Sequence, residues 1–130
     1  ITFLLAAVGK NSIQLANLLA SKKFPLGSIL ISFDIKSMFS KIPVQETIKI
    51  MTKMLEELKI HPDIIREFKT LINVCVKDNV FPDGLPMGGP LSCLLAEIFI
   101  DHLEVFILNA TPYFHHIKYW ARYINDVICI

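Results

Sequence analysis

The chain is poor in charge, in paired cysteines and in metal-binding motifs, and each shortage excludes a class of function. Charged residues are 19% of its 130 positions and hydrophobic ones 53%, which excludes disorder and implies one folded, well-buried domain. Thirteen basic residues against twelve acidic ones leave a net charge of +1. A self-sufficient nucleic-acid enzyme shows a basic surface, so this chain either binds no polyanion or has its basic parts elsewhere. Cys75, Cys93 and Cys129 stand alone with no C-x-x-C pair. That pattern suits small core hydrophobes in a reducing compartment, not a disulfide framework or a zinc site. The histidines form no H-E-x-x-H pattern. His115 and His116, adjacent on an expected strand, would point to opposite faces and share no metal.

Membrane signals are also weak. Mean hydropathy is +0.51, yet the most apolar stretch, residues 91–108, carries Glu97, Asp101 and Glu104. The opening I-T-F-L-L-A-A-V lacks a basic flank, so no signal peptide is expected. There is no repeat or low-complexity tract. The chain starts without methionine inside an apolar run and stops at Ile130 inside an expected strand, the pattern expected of a fragment.

Periodicity predicts an α+β order. Residues 11–20 suit a short amphipathic helix capped by Asn11 or Ser12, and Phe24-Pro25-Leu26-Gly27 breaks it. Residues 28–34 alternate as a buried strand that delivers Asp34 at its C-terminal end. Pro43 stands where a first helical turn should begin. Val44, Ile48, Met51, Leu55 and Leu58 then fall at helical spacing. His61-Pro62-Asp63 starts a second helix with the stripe Ile64, Ile65, Phe68, Leu71, Ile72 and Cys75. Residues 76–81 suit a short strand before the Pro82-Asp83-Gly84 turn. Pro90 opens a long helix to about Leu108, apolar nearly all round, with Glu97, Asp101 and Glu104 as one polar seam. Such a helix belongs in an interior. Residues 115–123 and 127–130 read as two strands joined at Asn125-Asp126. The expected architecture is a small antiparallel sheet with helices packed on one face.

Three elements carry chemistry. Asp34 ends an apolar strand, where a carboxylate needs a partner or an open edge; taken alone, it also reads as a strand-end cap. Asp126 sits in R-Y-I-N-D-V-I-C-I, where Asn-Asp also suits a simple hairpin turn. Between them, G-L-P-M-G-G-P-L-S (residues 84–92) is a glycine-rich entry to a helix, with Gly88 and Gly89 permitting close backbone approach. Two strand-borne acids from distant segments, with such a turn between, suit phosphoryl transfer. There, clustered carboxylates hold divalent ions about 4 Å apart.

These motifs are similar to those of a reverse transcriptase palm, most like the Penelope-like retroelement branch. The family's strand motif S-F-D-V-x-S-L-F-T-x-I/V-P-x-x-E-T resembles S-F-D-I-K-S-M-F-S-K-I-P-V-Q-E-T at residues 32–47. Its G-L-x-M-G-S-P-L-S-x-x-L-A-x-I-F-x-x-x-L-E resembles residues 84–104, with Gly89 in place of Ser. Its R-Y-x-D-D resembles Arg122-Tyr123-Ile124-Asn125-Asp126. The resemblance covers residues 10–130. It implies a palm core over 28–130 and a remnant of the fingers–palm connection over 1–27, without most of the fingers and without the thumb or an endonuclease domain.

Carried over residue by residue, the resemblance implies the following. Asp34 and Asp126 are ligands of two Mg2+ ions, and Asn125 stands where the turn has its main metal-binding Asp. The backbone of Ile35, Lys36, Ser37, Met38 and Phe39 faces an incoming triphosphate, and the Phe39 ring gates the sugar. Gly84, Leu85, Pro86, Met87, Gly88 and Gly89 shape the template and nucleotide pocket, and Tyr123 lies near the primer end. Partners would be an RNA or DNA template with primer and a deoxynucleoside triphosphate, with no membrane. The setting would be intracellular, nuclear or cytoplasmic. The family chemistry is RNA-directed DNA polymerisation, and Asn125 makes this copy expectedly inactive. A second reading is a decayed or domesticated remnant that binds nucleic acid or acts as a scaffold. A third is an unrelated α+β interaction domain, a reading that Asp34 and Asp126 lying far apart or on opposite faces of the sheet would revive.

Overall fold

The computed structural model describes residues 6–7, 12–76, 84–85 and 91–130. The protein is α+β, and its contacts divide it into two compact units. One comprises residues 1–36 and 111–130; the other comprises 37–110.

The first unit is built on a sheet. Its strands are β1 (Ala6–Ala7), β2 (Ile31–Asp34), β3 (Trp120–Tyr123) and β4 (Asp126–Cys129), in the order β1-β3-β4-β2. The last three form an open antiparallel sheet, and the two-residue β1 adds a parallel pairing to β3. Helix α1 (Ser12–Ala20) presents Leu15, Leu18 and Leu19 at helical spacing to Tyr119 and Ala121, with Phe24 and Ile130 completing the cluster. Phe24 meets Tyr119 edge to face at 6.3 Å, and the Lys22 ammonium lies 5.7 Å from the same ring. On the opposite face of the sheet, Phe33 and Trp120 pack edge to face at 5.4 Å.

Two expectations for this unit fail. Residues 31–34 form the strand, but it is not buried: all four residues are exposed, Ile31 at 53% and Phe33 at 43%. β2 is the sheet edge, paired only with β4, so its apolar alternation marks a sheet surface without saying what covers it. His115 and His116 are not on a strand. They lie in a 3-10 turn, Phe114–His116, closed by the His116 amide on the Tyr113 carbonyl (2.9 Å).

The helical unit comprises α2 (Met38–Lys41), α3 (Val44–Glu57), α4 (Pro62–Val76) and α5 (Ser92–Ala110). α3 packs against both α4 and α5, and α2 against α5. The core is Ile42, Ile48, Met51, Ile65, Ile72, Leu95, Ile100 and Leu108, all buried. Burying each such side chain fully is worth about 1.5–3 kcal/mol. Thr47 is fully buried in this apolar setting because its hydroxyl donates to the Pro43 carbonyl at 2.8 Å. Pro43 itself is the N-cap of α3, one position earlier than the first helical turn.

The stripes of α3 and α4 are partly borne out: Ile48, Met51, Ile65 and Ile72 are buried, whereas Leu58, Ile64 and Leu71 are exposed. α5 is not the interior helix its composition suggests. Its buried side is Ser92, Leu95, Ala96, Ile100, Glu104 and Leu108, while Leu103, Phe106 and Ile107 are exposed. Glu104, expected on the open seam, is 6% exposed and is not without a partner. Composition cannot orient a helix that is almost equally apolar on every side. Of the expected strand at 76–81, Val76 ends α4 and the rest lies outside the described residues. Cys75 and Cys129 are half-buried and Cys93 is exposed, so the thiols are free but not all in the core. Burial pushes the Cys129 thiol pKa up, which disfavours the reactive thiolate. Among the described residues, no helix is long and apolar enough to cross a membrane.

Candidate active site at the end of the antiparallel sheet

Asp34 closes β2 and Asp126 opens β4, and the two are register partners. Tyr123 is the partner of Asp126 on the other side. The three therefore form one cross-strand row, with side chains on a single face. The Ile35 amide donates to the Asn125 carbonyl at 2.7 Å. That bond lies just beyond the Asp34–Asp126 pair, which makes it a non-hydrogen-bonded pair, the class in which opposed Cα atoms are only about 4.5 Å apart. Both carboxylates are exposed and Tyr123 is half exposed.

The loop joining β3 to β4 is Ile124-Asn125, one residue earlier than the Asn-Asp turn expected. Ile124 has φ 56°. A β-branched residue is seldom found in that left-handed region. The turn is held by Arg122, a buried residue whose Nη1 donates to the Ile124 carbonyl at 2.7 Å. Arg122 was missed as a functional residue. Its signal was there: alternation puts this cation on the face opposite Tyr123 and Asp126, in an otherwise apolar strand. Removing the Cβ clash by Ile124→Gly is expected to stabilise the protein by about 1 kcal/mol, read as a higher urea midpoint with unchanged slope. A lower midpoint would show that the Ile side chain matters more than its backbone strain.

Asn125 is half-buried, and its Nδ2 donates to Asp34 Oδ1 at 2.8 Å across 91 residues of sequence. Its side chain and its carbonyl thus both grip the end of β2. The Ile35 amide is engaged in this contact. Lys36 is exposed.

The remaining predicted residues belong to the helical unit. Ser37 has φ 54° and caps α2, where Met38 is buried and Phe39 half-buried. Gly84 and Leu85 are buried, and the Leu85 amide donates to the Phe39 carbonyl at 2.7 Å. The start of the glycine-rich motif is thereby fixed to α2. Pro86, Met87, Gly88 and Gly89 lie outside the described residues. The same unit has a cleft of about 520 Å³ between α3 and α4, lined by Thr52, Glu56, Ile65, Arg66, Lys69 and Thr70, none of them a predicted site residue.

The donor set can be tested against a pair of magnesium ions. It offers two carboxylates and one neutral amide, whose NH2 is turned toward a carboxylate. Among the described residues, no group of three His, Cys, Asp or Glu side chains could hold a metal. Two ions about 4 Å apart repel each other and need a bridging set of anionic oxygens. This set does not fit them. No family model and no curated protein matches the chain.

Proposed function

We propose that the chain is a segment of a retroelement reverse transcriptase palm, a fold that serves RNA-directed DNA polymerisation, in a copy that does not catalyse it. The reading is supported by one observation above the others. Asp34 and Asp126, the two acids picked out by the motifs, are register partners on one face of the sheet, beside Tyr123. Tyr123 and Asp126 would face each other across any two-residue turn, so the supporting feature is Asp34, which comes from a distant segment to pair with Asp126. Asn125 supports the second half of the proposal, because it puts a neutral amide where nucleotidyl transfer needs a third anionic ligand.

What such a palm retains is a face that can meet nucleic acid, and the alternative role is that of a domesticated remnant with binding or scaffolding capacity only. Titrating the full chain with a labelled primer–template at several salt concentrations separates the two. Binding should be weak and salt-dependent. Neutralising about three phosphates gives a slope of log K against log salt of about −3. No binding even at low salt would remove the nucleic-acid role and leave scaffolding.

A further inference from the structure

Asp34 and Asp126 face each other in the closest class of antiparallel pair, an arrangement in which like charges destabilise a sheet. Both are exposed, so water screens much of that repulsion, and the chain adds a hydrogen-bond donor to one of the pair. The Asn125 amide reaches Asp34 Oδ1 at 2.8 Å, while its carbonyl takes the Ile35 amide at 2.7 Å. The positive φ of Ile124 sets the turn, and Arg122 holds it through the Ile124 carbonyl.

We propose that Asn125 replaces a divalent cation at this end of the sheet: its amide satisfies Asp34 opposite Asp126, so the junction is closed by the chain itself and takes up no divalent ion. Charge-assisted hydrogen bonds to a carboxylate are among the stronger kind. The Asn125 bond occupies Asp34 Oδ1. The strand end and the hairpin then stay joined in the presence of a chelator. The idea of an ion at this place rests on the polymerase reading, whereas the closure by Asn125 uses only the three side chains and their register.

The test is a Mn2+ titration of the full chain, followed by the EPR signal of free Mn2+, together with thermal unfolding in Mg2+ and in EDTA. The wild-type protein should show no saturable Mn2+ binding in the millimolar range and the same melting temperature in both buffers. Asn125→Asp should melt lower in EDTA, recover with Mg2+, and bind Mn2+ about tenfold more tightly or better. Asn125→Ala should melt lower in both buffers with no response to cation. Saturable Mn2+ binding by the wild type, abolished by Asp34→Asn, would overturn the proposal. So would a wild-type melting temperature that rises with Mg2+. Both measurements decide the matter even if Asn125→Asp does not fold.

Discussion

Gly84→Ala is expected to cost the protein about 3 kcal/mol or more. A Cβ built on Gly84 would lie 2.5 Å from the Ser40 carbonyl oxygen and 2.7 Å from the Ser40 carbonyl carbon and Cα. All three are backbone atoms, so no side chain can rotate out of the way. The neighbouring residue prevents the loop from lifting. Leu85 is 0% exposed, and its amide is bonded to the Phe39 carbonyl at 2.7 Å. Relief therefore requires either a shift of α2 or the loss of that hydrogen bond with part of the Leu85 burial. Overpacking alone costs about 1–3 kcal/mol, and leaving a buried amide unpaired adds about 1–3 kcal/mol. Urea unfolding of the two proteins measures the difference. A loss under about 1 kcal/mol would mean that the 84–85 segment can move away from α2. Gly84 is thus required by close backbone approach, independently of any nucleotide. Its position in a motif that resembles a substrate loop does not by itself make it a substrate contact.

That distinction shows how much of the protein was legible in its sequence. The motif residues Asp34 and Asp126 were readable because each ends or opens a strand, and pairing followed once both strands entered one antiparallel sheet. α1 and the starts of α3 and α4 were readable from spacing and from Pro43 and Pro62. Failure came where local pattern does not determine what lies outside the element. The alternation in residues 28–34 suggested burial, yet β2 is an edge and Phe33 remains 43% exposed. α5 has apolar residues on every side, and only tertiary contact decides that Glu104 turns inward and Phe106 outward. The α2 turn and the Ile124 turn both depend on a positive φ at a residue that seldom adopts one, Ser37 and Ile124. Propensity argues against both. Arg122 was passed over for a related reason. An arginine in a strand ordinarily faces water, and this one is buried by its role in holding the turn.

Asn125→Asp should raise primer extension by up to about a thousandfold when the segment is placed between the fingers and thumb of an active relative. The site already has two carboxylates in register on one face, and the side chain at 125 already reaches Asp34 at 2.8 Å. What it lacks is charge. One added unit charge about 4 Å from a cation is worth about 4 kcal/mol per cation charge at an effective dielectric near 20. Each 1.4 kcal/mol of that expressed in the transition state is about tenfold in rate. Even a third of the attraction gives about a tenfold gain, and the whole of one unit gives about three decades. The gain should require Mg2+ and should vanish in the Asp34→Asn double variant, since both acids must act on the same ions. Equally slow extension by the chimeras with and without Asn125→Asp, with the relative's own palm active in the same frame, would show that something other than this side chain silences the segment. Gly89 in place of Ser would be the next residue to revert. If that reversion also failed, the polymerase reading itself would fall, because Asn125 and Gly89, the departures that change the side chain's chemistry most, would both have been repaired without restoring the chemistry.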